Sequence, residues 1–128
     1  MIPFGIFYKY GLSLPVNVYG ELIVVAVFGE LSRWALVAEH FLFSGVLAVP
    51  FFVAARRFPR RTLVATGLLY GAMIWVVINS LALPLIFSRS TPWELGWNSI
   101  WPSLSVHLVY GIALGVLSRR NRGQDDIR

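Results

Sequence analysis

The chain has two histidines, His40 and His107. Each sits inside an apolar run, "WALVAEHFLFSG" (34–45) and "WPSLSVHLVYG" (101–111), six residues after a tryptophan. Two imidazoles at matching positions could hold haem iron axially, hold a divalent metal together with a carboxylate, or take up a proton in the physiological pH range. Glu39, beside His40, and Glu30 are the nearby carboxylates, while Asn79 and Tyr110 supply an amide and a phenol. Arg33 and Arg89 are placed to meet haem propionates. Two histidines without a spacing motif specify a metal poorly, since metal sites usually announce themselves with more ligands. The plainer alternative is that both rings bond to Glu39, Asn79 or a backbone carbonyl and fix helix contacts.

The elements that must carry these groups are set by composition. Hydrophobic residues make up 57% of 128 residues and charged ones 13%, with a mean hydropathy of +0.69, against about a quarter charged in soluble chains. This is membrane composition, and the length suits one domain over 1–128. Four spans are expected, at 14–31, 34–55, 62–87 and 100–117, with a polar, frayed tail at 118–128. The third is uncharged and longer than the ~20 residues that cross a bilayer. The first is the weakest because Glu21 and Glu30 interrupt it. Pro102 fits the first turn of the last helix.

The net charge is +5, but the basic residues gather at segment ends. Arg56, Arg57, Arg60 and Arg61 lie between the second and third spans, and Arg119, Arg120 and Arg122 follow the fourth. The positive-inside rule puts both ends and that link in the cytoplasm. No exposed aromatics interleave with these arginines, so nucleic acid is not an expected partner. On the opposite side Trp93, Trp97 and Trp101 recur every four residues, and with Trp34 they read as an interfacial belt. Cysteine is absent, which excludes disulfides and thiolate chemistry.

Aligning Trp34 with Trp101 places His40 on His107 and Ser44 on Gly111, which reads as an internal repeat of one helix pair. Each histidine then lies ~9 Å below its tryptophan, and Asn79 falls near the same level. Gly67 and Gly71 on the third span, and Gly111 and Gly115 on the fourth, form two G-x-x-x-G motifs suited to close helix packing. Both fall toward the cytoplasm. A bundle tight below and open above follows, with an outer-leaflet pocket lined by His40, His107, Glu39, Asn79, Tyr110 and Glu30. No G-x-S-x-G elbow or spaced carboxylate pair accompanies the serines, so no enzyme activity is expected.

Two segments, "GLLYGAMIWVVINSLALPLIF" and "SVHLVYGIALGVL", together with the earlier helix bearing a histidine, resemble the YagU-like small four-helix inner-membrane proteins of unknown function. The resemblance covers 34–120, and His40, Trp75, Pro84, His107, Tyr110 and Gly111 are the matching positions. It implies four helices in a bacterial inner membrane and supplies no activity. The expectation is an all-α, four-helix membrane bundle that binds a small ligand, metal, haem or proton through its histidines. The alternative is an accessory subunit packed against itself or within a larger membrane complex.

Overall fold

The computed structural model describes residues 19–29 and 33–125, all helix and turn with no strand among them. In chain order the elements are α1 (Tyr19–Phe28), α2 (Arg33–Ala55), a 3-10 turn (Arg60–Thr62), α3 (Leu63–Ile74), a π-helical segment (Trp75–Ala82), α4 (Leu83–Phe87), α5 (Pro92–Leu95) and α6 (Trp97–Asp125). Three helical stretches are long and apolar enough to cross a membrane: Trp34–Ala55, Arg60–Phe87 and Trp97–Arg122.

The described part of the expected first span is α1, ten residues long; residues 14–18, 30 and 31 of that span lie outside the described residues. Gly29, at φ +76°, ends it. The ring of Tyr19 stacks on Phe87 with centroids 6.0 Å apart, and Gly20 faces Glu39 of α2. The described part of this segment therefore lies against one end of the bundle.

The middle span is continuous but changes its winding. Pro84 has no N–H for the carbonyl of Ser80, four residues earlier, and its ring would crowd that carbonyl in an α-helix. The chain responds with wider turns before the proline; the N–H of Leu83 reaches back five residues to Ile78 O. α4 then stops at Ser88, in the left-handed conformation at φ 49°, with Arg89 N donating to Pro84 O at 2.9 Å.

The return loop is ordered by a capping box. Thr91 N donates to Glu94 Oε2 at 2.7 Å, and Glu94 N donates to Thr91 Oγ1 at 3.4 Å. This pairing satisfies donors at both ends of the first turn of α5.

α6 begins at Trp97, so Pro102 lies in its second turn, fully buried, and not in the first turn where the sequence pattern placed it. It also continues through Asp125, which extends the helix over most of the expected frayed tail. Arg122 and Arg60 account for part of that extension, since both bridge this end of α6 to the 55–62 turn.

α3 and α6 form the most intimate pair. A methyl group added at Gly67 would overlap the carbonyl of Gly111, one at Gly71 the carbonyl of His107, and one at Gly115 the carbonyl of Leu63. Only glycine permits this backbone approach. α2 is held differently, through Phe51 and Ala55, which pack with Leu63 and Leu114, and through a tilted contact between Phe51 and Tyr70 at 5.2 Å.

Candidate functional site

The polar residues of the bundle converge on Ser103, one turn before His107 on α6. Its hydroxyl accepts from Trp75 Nε1 at 3.1 Å and from Asn79 Nδ2 at 2.7 Å. Its carbonyl meets His107 Nδ1 at 2.8 Å. A carbonyl can only accept, so Nδ1 carries the proton in the neutral ring and Nε2 presents the lone pair. Trp75 and Ser103 are buried, whereas Asn79 and His107 are half-buried.

The winding of the middle span carries two of these donors, since Trp75 opens the π-helical segment and Asn79 lies within it. π-Turns recur where a helix must present side chains that regular winding would rotate away. Ser80, also on this segment, is fully buried, and its hydroxyl has no hydrogen-bond partner among the described residues. Trp93 covers the cluster from the loop, its ring meeting Trp75 edge-on at 5.2 Å.

Tyr110 acts away from this cluster. Its hydroxyl donates to Ser44 O at 2.5 Å, and Tyr70 donates to Leu47 O at 2.6 Å. The accepting carbonyls are three residues apart on α2 and just precede Pro50, which cannot donate to Val46 O. The two phenols thus pin α2 to α6 and α3 where its own ladder is weakened.

His40 is exposed on α2, with Phe41 as a ring neighbour at 6.4 Å. Glu39 does not join the Ser103 cluster; its carboxylate reaches to 3.0 Å from where a Cβ on Gly20 would stand. Glu30 lies outside the described residues. Among the described residues no three His, Asp or Glu side chains gather as a metal-ligand set. Nε2 of His107 and the ring of His40 are the imidazole donors of the bundle.

The aligned positions of α2 and α6 have unlike surroundings: Gly111 is buried against Gly67, whereas Ser44 is half-buried and offers its carbonyl to Tyr110. Of the tryptophans assigned to the belt, Trp34, Trp93 and Trp97 are exposed and Trp101 is half-buried. Sequence reasoning passed over Ser103. The available signal was its spacing, four residues before His107 and on the same helical face.

Apolar helices of this length, joined by short turns and crossed by one internal polar cluster, define an all-helical protein of the membrane-embedded type. A family model described as a protein of unknown function (DUF1440) matches residues 12–116, and the chain belongs to that family. No curated protein and no solved structure matches it.

Proposed function

We propose that the chain is an accessory or structural subunit of a larger bacterial inner-membrane assembly, built as a single membrane domain and docked through α2. The positive-inside rule sets its arginine-rich link and carboxy-terminal end in the cytoplasm. The YagU-like resemblance agrees with this location.

The observation that carries the reading is His40. It lies well inside a span yet is exposed, and an imidazole facing hydrocarbon is unfavourable enough that such residues turn toward protein or water. Its surroundings on α2 favour protein. In its apolar 18-residue stretch only 6% of residues are buried within the chain, against 28% and 33% in those of the other two spans. Gly45 has open space where a side chain would stand, leaving room for a second backbone to approach. The neighbouring polar groups are already spent inside the chain: Asn79, Trp75 and Nδ1 of His107 on Ser103, and Tyr110 on Ser44.

A second reading keeps the histidines as a proton or small-ligand site in the outer leaflet. The orientation of His107 favours it, because a ring fixed through Nδ1 offers Nε2 in the manner of many ligating or proton-accepting histidines. His40 is the nearby partner.

The natural absence of cysteine makes one experiment decisive between them. Single His40→Cys and Gly45→Cys chains are tagged with a thiol-reactive benzophenone and photo-cross-linked in native membranes, where the excited carbonyl inserts into a neighbouring C–H bond, and separate untagged samples are treated with a membrane-impermeant maleimide. Docking predicts specific adducts at both positions that are absent for Ile112→Cys, and slow labelling at position 40. Fast labelling at 40 with no adduct contradicts docking and supports the water-accessible histidine site.

A further inference from the structure

At the arginine-rich end, opposite the Ser103 cluster, the helices part around a cavity of 670 Å³. Its polar lining is Arg56, Arg60, Arg122, Asn121 and Ser118, with Phe52 as an apolar wall. None of the acidic side chains described lines it.

Two of the guanidinium groups are held in place. Arg60 Nε donates to Arg119 O at 3.2 Å, and Arg122 donates to Phe58 O at 2.8 Å and to Ala55 O. These bonds occupy three backbone carbonyls, among them that of Ala55 at the end of α2, whose partial negative charge would otherwise oppose an anion. A guanidinium has five N–H donors, so the two bonds of Arg122 leave others to face the cavity. Arg56 adds a third positive charge. Ser118 is the second, independent sign: it is 5% exposed, lines the cavity, and its hydroxyl has no hydrogen-bond partner among the described residues. A buried hydroxyl without a partner is costly unless something arrives to accept or donate.

We propose that this cavity is a binding site for a phosphate group, gripped by Arg56 and Arg122, with Arg60 adding positive charge to the lining and Ser118 donating to one of the phosphate oxygens. Planar guanidinium forks match phosphate geometry, and basic pockets between membrane helices on the cytoplasmic side suit anionic head groups. The volume accommodates a phosphoglycerol head group, and the Phe52 wall suits the start of an acyl chain. The site is separate from the docking face on α2 and stands whether or not that face has a partner.

The test uses the full chain in a neutral detergent, with dihexanoyl phosphatidylglycerol, dihexanoyl phosphatidylcholine and inorganic phosphate as probes. Binding is read by native mass spectrometry and by the shift in thermal unfolding. Wild type should prefer phosphatidylglycerol to phosphatidylcholine by about tenfold, and Arg56→Gln and Ser118→Ala should each reduce phosphatidylglycerol binding by about tenfold. Asn121→Ala, at an exposed position, provides a third variant should either of these lose helical content. Saturable binding of inorganic phosphate that competes with the lipid supports the site with a soluble phosphate as occupant. Selective lipid binding without it supports the site with a head group as occupant. Equal retention of both lipids, or selectivity unchanged in the folded variants, overturns the proposal.

Discussion

Asn79 and Ser103, on different membrane-length helices, are joined by a hydrogen bond of 2.7 Å, and the same hydroxyl accepts from Trp75. Removing that hydroxyl strands two donors, of which the Trp75 indole is buried. Ser103→Ala should therefore destabilise the bundle by about 1–2 kcal/mol, toward the upper end seen for polar contacts in membranes. A double-mutant cycle with Asn79→Ala, measured by unfolding in mixed micelles, should give a coupling of about 0.5 kcal/mol or more. Strict additivity would show that the two residues do not act together.

The glycine contacts give a sharper contrast. Gly71→Ala and Gly111→Ala each force a methyl group into the facing backbone, so each should lose about 2–3 kcal/mol or fail to fold. Gly45→Ala meets nothing within 4 Å and should be neutral or slightly stabilising, because alanine favours helix more than glycine does. Equal effects at Gly71 and Gly45 would contradict the close approach of α3 to α6.

The two phenols tie α2 to the rest of the chain. Tyr70→Phe and Tyr110→Phe should each cost about 1 kcal/mol and speed amide hydrogen exchange along α2, most strongly near Ser44 and Leu47. Exchange in α3 should change little, since its glycine contacts with α6 do not depend on the phenols. Faster exchange in α3 with α2 unaffected would contradict this assignment.

The bond from His107 to Ser103 O fixes a tautomer. Nitrogen-15 spectra of the selectively labelled protein at neutral pH should show Nδ1 protonated and Nε2 bare for His107. A ring protonated at Nε2 would mean that the imidazole has turned away from the Ser103 carbonyl.

Much of this architecture is readable from where charge is missing. Apolar runs of about twenty residues with one charge or none must find an apolar solvent, and arginines collect where those runs end; the three long helices follow from that. Glycines four apart mark where helix backbones can meet. The interrupted first segment was harder, because Glu21 and Glu30 disturb its hydropathy and its described helix covers only Tyr19–Phe28. Pro84 announces a disturbance in the middle span without saying how the chain relieves it. The π-winding is a three-dimensional answer that the linear pattern does not encode.

The site divides along the same line. Rare polar residues in apolar runs are conspicuous, so His107, Asn79 and Tyr110 stand out, but their partners do not. Ser103 looks like an ordinary helix serine until Trp75 and Asn79 arrive from another helix, and the carbonyls of Ser44 and Leu47 carry no side-chain signature at all. Trp93 fits an aromatic belt by spacing, yet one edge of its contact is with buried Trp75. The arginine-lined cavity was hidden because its arginines also fit the pattern of the positive-inside rule, which accounts for them without requiring a ligand.

The central claim is that α2 docks in a larger assembly, and the most direct measurement is the mass of the particle containing this chain after gentle extraction from native membranes. Size-exclusion chromatography with light scattering, corrected for detergent, should give a protein mass well above the 14.4 kDa of one chain. Gly45→Trp, which fills the open face of α2, should collapse that mass to a single chain, while Ile112→Trp on α6 should leave it unchanged. A wild-type particle of one chain, or an assembly indifferent to Gly45→Trp, would contradict the account.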